Sequence, residues 1–332
     1  MKLPFTTFIR DQYRRIPEVK SFGTDLTGKV VIVTGANVGL GYETAKHLAA
    51  MNPAKLILAC RTAATGEKAA ADIKRDTGCS TVVCWQLDIS DAASVKAFVE
   101  RFEREGGGKL DILLENAGVT GFSFKRNASG WEQIVGTNHI GTAHLALRML
   151  PFLLKAPKPR LVIVASEVHY WTSDAEQADT DGLLEKLNDE KQEGKFYSTG
   201  NRYLVSKLLN VLFVRALASH IPAGTSLTVN SVNPGLCSSS LLREANPAIV
   251  LMTRILARTT EVGSRMFVHA AVAPELDGVT GEFLSNCTIT EPSDFVISPK
   301  GASAGKRLWN DTLRVLSETD AEVPRIVDTC LK

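Results

Sequence analysis

From about residue 28 the chain alternates short runs that are apolar on both faces with longer stretches whose apolar residues recur at helical spacing. The run 29–33 ends in Thr34-Gly35, which predicts a buried strand closed by a tight turn. Residues 41–51 follow as a helix with Ala45, Leu48 and Ala49 on one side. Strand-like runs recur at 55–60, 81–87, 110–114, 161–165 and 226–232, and a late run at 280–284 fits one more strand at the sheet edge. Strands apolar on both faces and separated by helices form a parallel sheet covered on both sides. The pattern therefore predicts one doubly wound α/β domain over 28–332, preceded by an N-terminal extension, 1–27. No internal repeat, low-complexity segment or Pro/Gly-rich linker argues for a second domain.

Two stretches exceed what that frame needs. Residues 171–200 are polar and charged, and residues 236–262 are apolar with a helical pattern. Both follow strand ends, where long connections commonly carry ligand contacts, so they are expected as a substrate-side loop and a lid.

Composition narrows the class. With 44% hydrophobic and 22% charged residues the chain reads as an ordinary globular protein. A net charge of +2 with no block of like charges argues against a nucleic-acid partner. The stretch 248–257 is broken by Arg254 and too short to span a bilayer, so no transmembrane segment is expected. The first twenty residues lack the apolar core of a signal peptide. Cys60, Cys79, Cys84, Cys237, Cys287 and Cys330 form no CxxC pair and read as free thiols of a reducing compartment, which points to a cytoplasmic location. His139 and His144 stand five apart, off the spacing that shares a helical face, and no metal site is expected.

The first strand runs into Thr34-Gly35-Ala36-Asn37-Val38-Gly39-Leu40-Gly41, ahead of a helix. Glycines suit a tight turn where a pyrophosphate approaches main-chain N–H groups, and a helix N-terminus adds orphan donors and positive partial charge. The spacing is GxxxGxG rather than GxGxxG, and its place between strand and helix makes it a dinucleotide loop of Rossmann type. Gly35, Asn37, Gly39, Leu40 and Gly41 are the positions set against the cofactor. About twenty residues on, the second strand ends in Ala59-Cys60-Arg61, with no carboxylate to grip an adenosine ribose. Arg61 can instead bind a 2′-phosphate with its planar fork, which favours NADP(H) over NAD(H).

Further along, Tyr203 and Lys207 stand at i and i+4 within a helical pattern, one turn apart on one face. An unperturbed phenol titrates near ~10, and a neighbouring cation lowers that value toward the working range.

In combination these residues resemble the short-chain dehydrogenase/reductase family, over nearly all of the chain from about residue 28. The matching residues come in the family's order. Beside the glycine loop, Asp88 in Leu87-Asp88-Ile89-Ser90 matches the acid that contacts the adenine, and Asn116-Ala117-Gly118 the turn beneath the cofactor. Asn138, Ser166, Tyr203 and Lys207 match the catalytic tetrad, and Pro234-Gly235 the turn beside the nicotinamide. Ser239 stands where a threonine often touches the nicotinamide amide, and Glu115 where many relatives have asparagine.

The resemblance implies that Tyr203 exchanges a proton with the carbonyl or alcohol oxygen while Ser166 hydrogen-bonds it. Lys207 would hold the nicotinamide ribose and lower the Tyr203 pKa, with Asn138 organising a water-linked proton path to Lys207. The Ala-Cys-Arg strand end and the enlarged loops resemble the retinol-dehydrogenase-like branch, which implies carbonyl reduction or alcohol oxidation on a fairly lipophilic small molecule. The lid could also rest on a membrane surface or on a second subunit of a homo-oligomer. Two other readings use the same residues: an NADP(H)-binding sensor without turnover, and a redox-neutral epimerase or dehydratase. His169 reads as either a substrate contact or a structural residue.

Overall fold

The apolar runs pair as their two-sided burial requires. In the computed structural model, which describes residues 3–22, 25–121, 123–173, 175–192, 199–238 and 255–331, eight strands form one sheet. They are β1 (Val30–Thr34), β2 (Lys55–Cys60), β3 (Val82–Gln86), β4 (Ile112–Glu115), β5 (Arg160–Val164), β6 (Thr228–Asn233), β7 (Phe283–Ser285) and β8 (Thr288–Thr290). Their order is β3-β2-β1-β4-β5-β6-β7-β8, parallel throughout except for the β7–β8 pair. The order reverses beside β1, whose Val31 pairs with Leu56 on one side and Ile112 on the other. Doubly wound sheets bind their ligands in the crevice at such a switch point, beyond the carboxyl ends of the strands.

Each sheet face has its own core. Ile32, Leu113 and Ile163 pack under the helices Ala92–Glu105, Thr142–Leu153, Thr199–His220 and Pro299–Thr319. Val33, Leu58, Leu114 and Val232 pack under Gly39–Ala49, Ala63–Thr77 and Thr260–Val272. Each fully buried aliphatic side chain contributes about 1.5–3 kcal/mol, so the strand ends that carry the site stand on a rigid base. Among the described residues, no helix is long and apolar enough to cross a membrane.

The late strand is one place from the edge, not at it. β8 folds back on β7 through a two-residue turn in which Asn286 and Cys287 both have positive φ, 52° and 57°. That is the backbone of a tight hairpin, and cysteine is a poor signal for it.

The first residues are integral to the fold. Phe5–Gln12 is a helix, and Phe8, Gln12, Ile16 and Leu26 are buried. At its end the guanidinium of Arg258 donates to the carbonyls of Asp11 and Gln12, a cation where the helix dipole is negative. The Gln12 amide donates to the carbonyls of Leu236 and Leu256 and accepts from the Leu236 N–H at 3.1 Å. On the other side the Phe8 ring meets Trp171 edge-on at 5.4 Å, and the Trp171 indole donates to the Leu3 carbonyl at 3.0 Å. This helix thus joins the two stretches that the sequence marks as additions. Residues 174 and 193–198 of the first and 239–254 of the second lie outside the described residues, as does Ser239.

Candidate active site

At the switch point one hydroxyl binds two strand ends together. Thr34 Oγ1, closing β1, accepts from the N–H groups of Asn116 and Ala117, both at 2.9 Å. The Asn116 amide donates back to the Thr34 carbonyl at 2.9 Å and the Gly35 carbonyl at 3.3 Å. Space here is tight: a Cβ on Gly41 would fall 2.4 Å from the Gly35 carbonyl oxygen and 2.5 Å from Asn116 Nδ2. Gly35 and Gly39 are left-handed, with φ of 64° and 63°. The helix Gly39–Ala49 starts after extended Val38, which gives no side-chain cap. Its first-turn N–H groups therefore have the character of an anion site. Asn37, partly buried, donates to Thr65 Oγ1 at 3.3 Å, and the Leu40 carbonyl accepts from Thr44 Oγ1 at 2.7 Å.

Neighbouring strand ends extend the groove. Arg61 follows β2 and is exposed. Asp88 follows β3, its carboxylate held by the Ser90 N–H at 2.9 Å and the Ser90 hydroxyl at 2.6 Å. Backbone donors, glycines and an exposed arginine at the strand ends are the donor set a dinucleotide needs, and the residues fit such a group.

The reacting side is built from helices packed on β4 and β5. Asn138 is buried in a π-type turn, Gly136–Gly141, a local distortion that is frequent at functional sites. Its Oδ1 accepts from the Val119 N–H at 2.7 Å, while Nδ2 donates to the Val119 carbonyl at 2.8 Å and to Ser206 Oγ at 3.0 Å. A Cβ on Gly118 would stand 3.1 Å from Asn138 Oδ1 and 3.9 Å from Lys207 Nζ. The lysine is buried and donates to the Val164 carbonyl at 2.8 Å, which engages one of an ammonium's three donors. One turn earlier on the same helix, the Tyr203 ring centroid lies 5.7 Å from Lys207 Nζ. Ser166, just beyond β5, caps a short helical turn, Glu167–Trp171, by accepting from the Val168 N–H at 3.3 Å.

The electrostatics differ from the sequence expectation. Burial pushes the Tyr203 phenol up rather than down, with Cys237 and Glu167 adding to the shift. Burial also lowers Lys207 to about 8. Spacing brings the two together, but the same loss of water that disfavours the phenolate weakens the cation meant to stabilise it. Cys237 is buried with its thiol pushed up to about 12, and all six cysteines are free thiols.

Residues that sequence reasoning passed over complete the arrangement. Asn233, ending β6, accepts through Oδ1 from the N–H groups of Glu167 and Gly235, both at 3.1 Å. One amide thus holds the segment of Ser166 against the Pro234-Gly235 turn. Gly235 has φ 71°, and a Cβ there would fall 2.9 Å from Arg258 Nη1 and 3.0 Å from Gln12 Oε1. The signal for Asn233 was its place just before Pro-Gly; Gln12 and Arg258 carried none. His169 is buried and bonded to Ser166 and Ser293, so its role is structural.

A doubly wound sheet with a glycine-lined switch point and a tyrosine–lysine pair beyond β5 defines a nicotinamide-dependent dehydrogenase or reductase. The chain belongs to the short chain dehydrogenase family, whose model matches residues 29–173. Retinol dehydrogenase 12 of Homo sapiens is 35% identical over 323 residues, covering 94% of this chain and 96% of that protein. Short chain dehydrogenase/reductase dmxR8 of Cryptosporiopsis sp. (strain 8999) is 36% identical over 301 residues, 87% of this chain and 91% of its own. Among solved structures, salutaridine reductase of Papaver somniferum superposes with a TM-score of 0.62 at 25% identity, covering 77% of this chain and 99% of that one. The protein is accordingly an oxidoreductase of carbonyl and alcohol groups that uses a nicotinamide cofactor.

Proposed function

We propose that this protein is an NADP(H)-dependent, cytoplasmic oxidoreductase that interconverts a ketone or aldehyde and an alcohol on a fairly lipophilic small molecule. The observation that carries this reading is Lys207, buried beside Tyr203 and Asn138 below the carboxyl end of β5. Gly35, Asn37, Gly39, Leu40 and Gly41 would hold the pyrophosphate side of the cofactor, Asp88 the adenine, and Asn116, Ala117 and Gly118 its underside. Pro234, Gly235 and Ser239 would flank the nicotinamide. When bound, NADPH supplies the hydride.

Tyr203 gives its proton to the carbonyl oxygen in reduction and takes the alcohol proton in reverse. The Ser166 oxygen already accepts from Val168, so its hydroxyl proton is the part left to donate to the same substrate oxygen and steady its developing charge. Lys207 holds the nicotinamide ribose, and Asn138 fixes the surroundings of Lys207 through Val119 and Ser206. The preference for NADP(H) rests on exposed Arg61 at the end of β2, where a carboxylate would favour NAD(H). Relatives whose names specify retinol and salutaridine support a lipophilic substrate.

The test is NADPH consumption against ketones and aldehydes graded in size and polarity, with Tyr203→Phe beside the wild type. Turnover that rises with lipophilic bulk and vanishes in the variant is expected. Turnover that survives in Tyr203→Phe removes the general acid.

A further inference from the structure

One side chain bonds both backbone groups of the residue that follows Pro234-Gly235. Gln12, the last residue of the helix Phe5–Gln12, is only 5% exposed. Its Nε2 donates to the carbonyls of Leu236 at 2.5 Å and Leu256 at 3.0 Å, and its Oε1 accepts from the Leu236 N–H at 3.1 Å. Both amide hydrogens and the oxygen are thus engaged. Turned over, the amide would set its oxygen against two carbonyls, so its partners tolerate one orientation.

The amide does the work of a missing strand. Cys237 and Arg258 form an isolated parallel bridge, in which the Arg258 N–H donates to the Leu236 carbonyl and the Ser238 N–H to the Arg258 carbonyl, both at 2.9 Å. That bridge makes no use of the Leu236 N–H or the Leu256 carbonyl. Inside a fold such groups need partners, and Gln12 supplies both. It also lies close against the turn: a Cβ on Gly235, whose φ is 71°, would fall 3.0 Å from Gln12 Oε1. The rest of the turn is held from β6 and from within, by the Gly235 N–H to Asn233 Oδ1 at 3.1 Å and the Cys237 thiol to the Pro234 carbonyl at 3.3 Å. One amide therefore ties the turn to β6 and another ties it to the first helix.

Resting on the place given above to Pro234 and Gly235 beside the nicotinamide, we propose that Gln12 is a positioning residue for that end of the cofactor, acting through the backbone of Gly235 and Leu236. The adenosine end would stand on the ends of β1, β2 and β3, which the bonds of Gln12 do not reach. Loss of the amide therefore acts on one end of the cofactor and spares the other. A carboxylate in its place accepts as the amide oxygen does, but has no hydrogen for the carbonyls of Leu236 and Leu256.

The experiment compares wild type, Gln12→Glu and Gln12→Met by calorimetric titration with NADPH and with 2′-phospho-ADP-ribose, the cofactor without its nicotinamide. Glu keeps the shape and removes both donors, while Met keeps the volume and removes donors and acceptor. Affinity for NADPH should weaken roughly tenfold in either variant, the scale of one or two hydrogen bonds, and kcat should fall with it. Affinity for the fragment should stay within about twofold of the wild type. A general loosening of the fold weakens both ligands alike, so equal losses, or none, overturn the role of Gln12. The wild type gives a second reading that needs no variant. Coupling between two sites is reciprocal, so NADPH should slow hydrogen exchange of the amides in Phe5–Gln12 and the fragment should not. Exchange that slows equally with both ligands, or with neither, overturns the role as well. If NADPH binds and these outcomes fail, the functional reading stands without Gln12; if NADPH does not bind at all, that reading falls and takes the role of Gln12 with it.

Discussion

His169 donates through Nδ1 to the carbonyl of Ser166 at 2.7 Å, and its Nε2 accepts from the Ser293 N–H at 3.2 Å. The pairing fixes one neutral tautomer, because a protonated ring would turn Nε2 against that N–H. Burial lowers His169 to about 4 from 6.5, and does the same to His139. In that window the unfolded chain binds more protons than the folded one, so stability falls as pH drops from about 6.5 toward about 4. Melting temperature measured across this range should decline, and less steeply in His169→Gln. A flat wild-type profile contradicts the burial argument.

Arg61 is expected to discriminate between the two nicotinamide cofactors. A charge-assisted contact is worth about 1.5–3 kcal/mol, so Arg61→Ala should weaken NADPH roughly ten- to a hundredfold and leave NADH nearly unchanged. Fluorescence titration with both cofactors reads this directly. An unaltered ratio of the two affinities would assign the 2′-phosphate elsewhere.

Thr34→Val keeps the shape of the side chain but strips the acceptor from two N–H groups. A fully buried donor left unpaired costs about 1–3 kcal/mol, and these two are half-buried, so a loss of roughly 2–4 kcal/mol is expected in denaturant unfolding. Cofactor affinity should weaken as well, since the Asn116 turn is no longer tied to β1. Thr34→Ser should restore both.

Arg258→Met leaves the carbonyls of Asp11 and Gln12 and the Asn286 amide without their donor. The helix Phe5–Gln12 should loosen, and limited trypsin digestion should cut faster at exposed Arg10 and Arg14. Because Gln12 also holds Leu236, kcat/KM should fall with it. Unchanged digestion would mean that Phe8 against Trp171 suffices to anchor the helix.

The sheet was legible because its central strands are buried on both faces, so their sequences are continuously apolar. The site was legible where a chemical need forces a residue type at a fixed spacing, as with the glycines of 35–41 and the pair Tyr203 and Lys207. Spacing carries no information on solvent access, which is why the direction of the Tyr203 shift was missed. The turn at Asn286 and Cys287 escaped because its second residue is not one that turns prefer. Gln12, Asn233 and Arg258 escaped for another reason: at least half of their bonds go to backbone groups, which leave no complementary side chain to look for.

The bond from Arg258 to the Gln12 carbonyl spans 246 residues. Chains grow at about 5–20 residues per second, so the helix around Phe8 waits roughly 10–50 s on the ribosome before its anchor has been made. Phe8, buried once the fold is complete, stays uncovered at least until Trp171 has been made. An early segment of this kind is a natural client for a chaperone during synthesis.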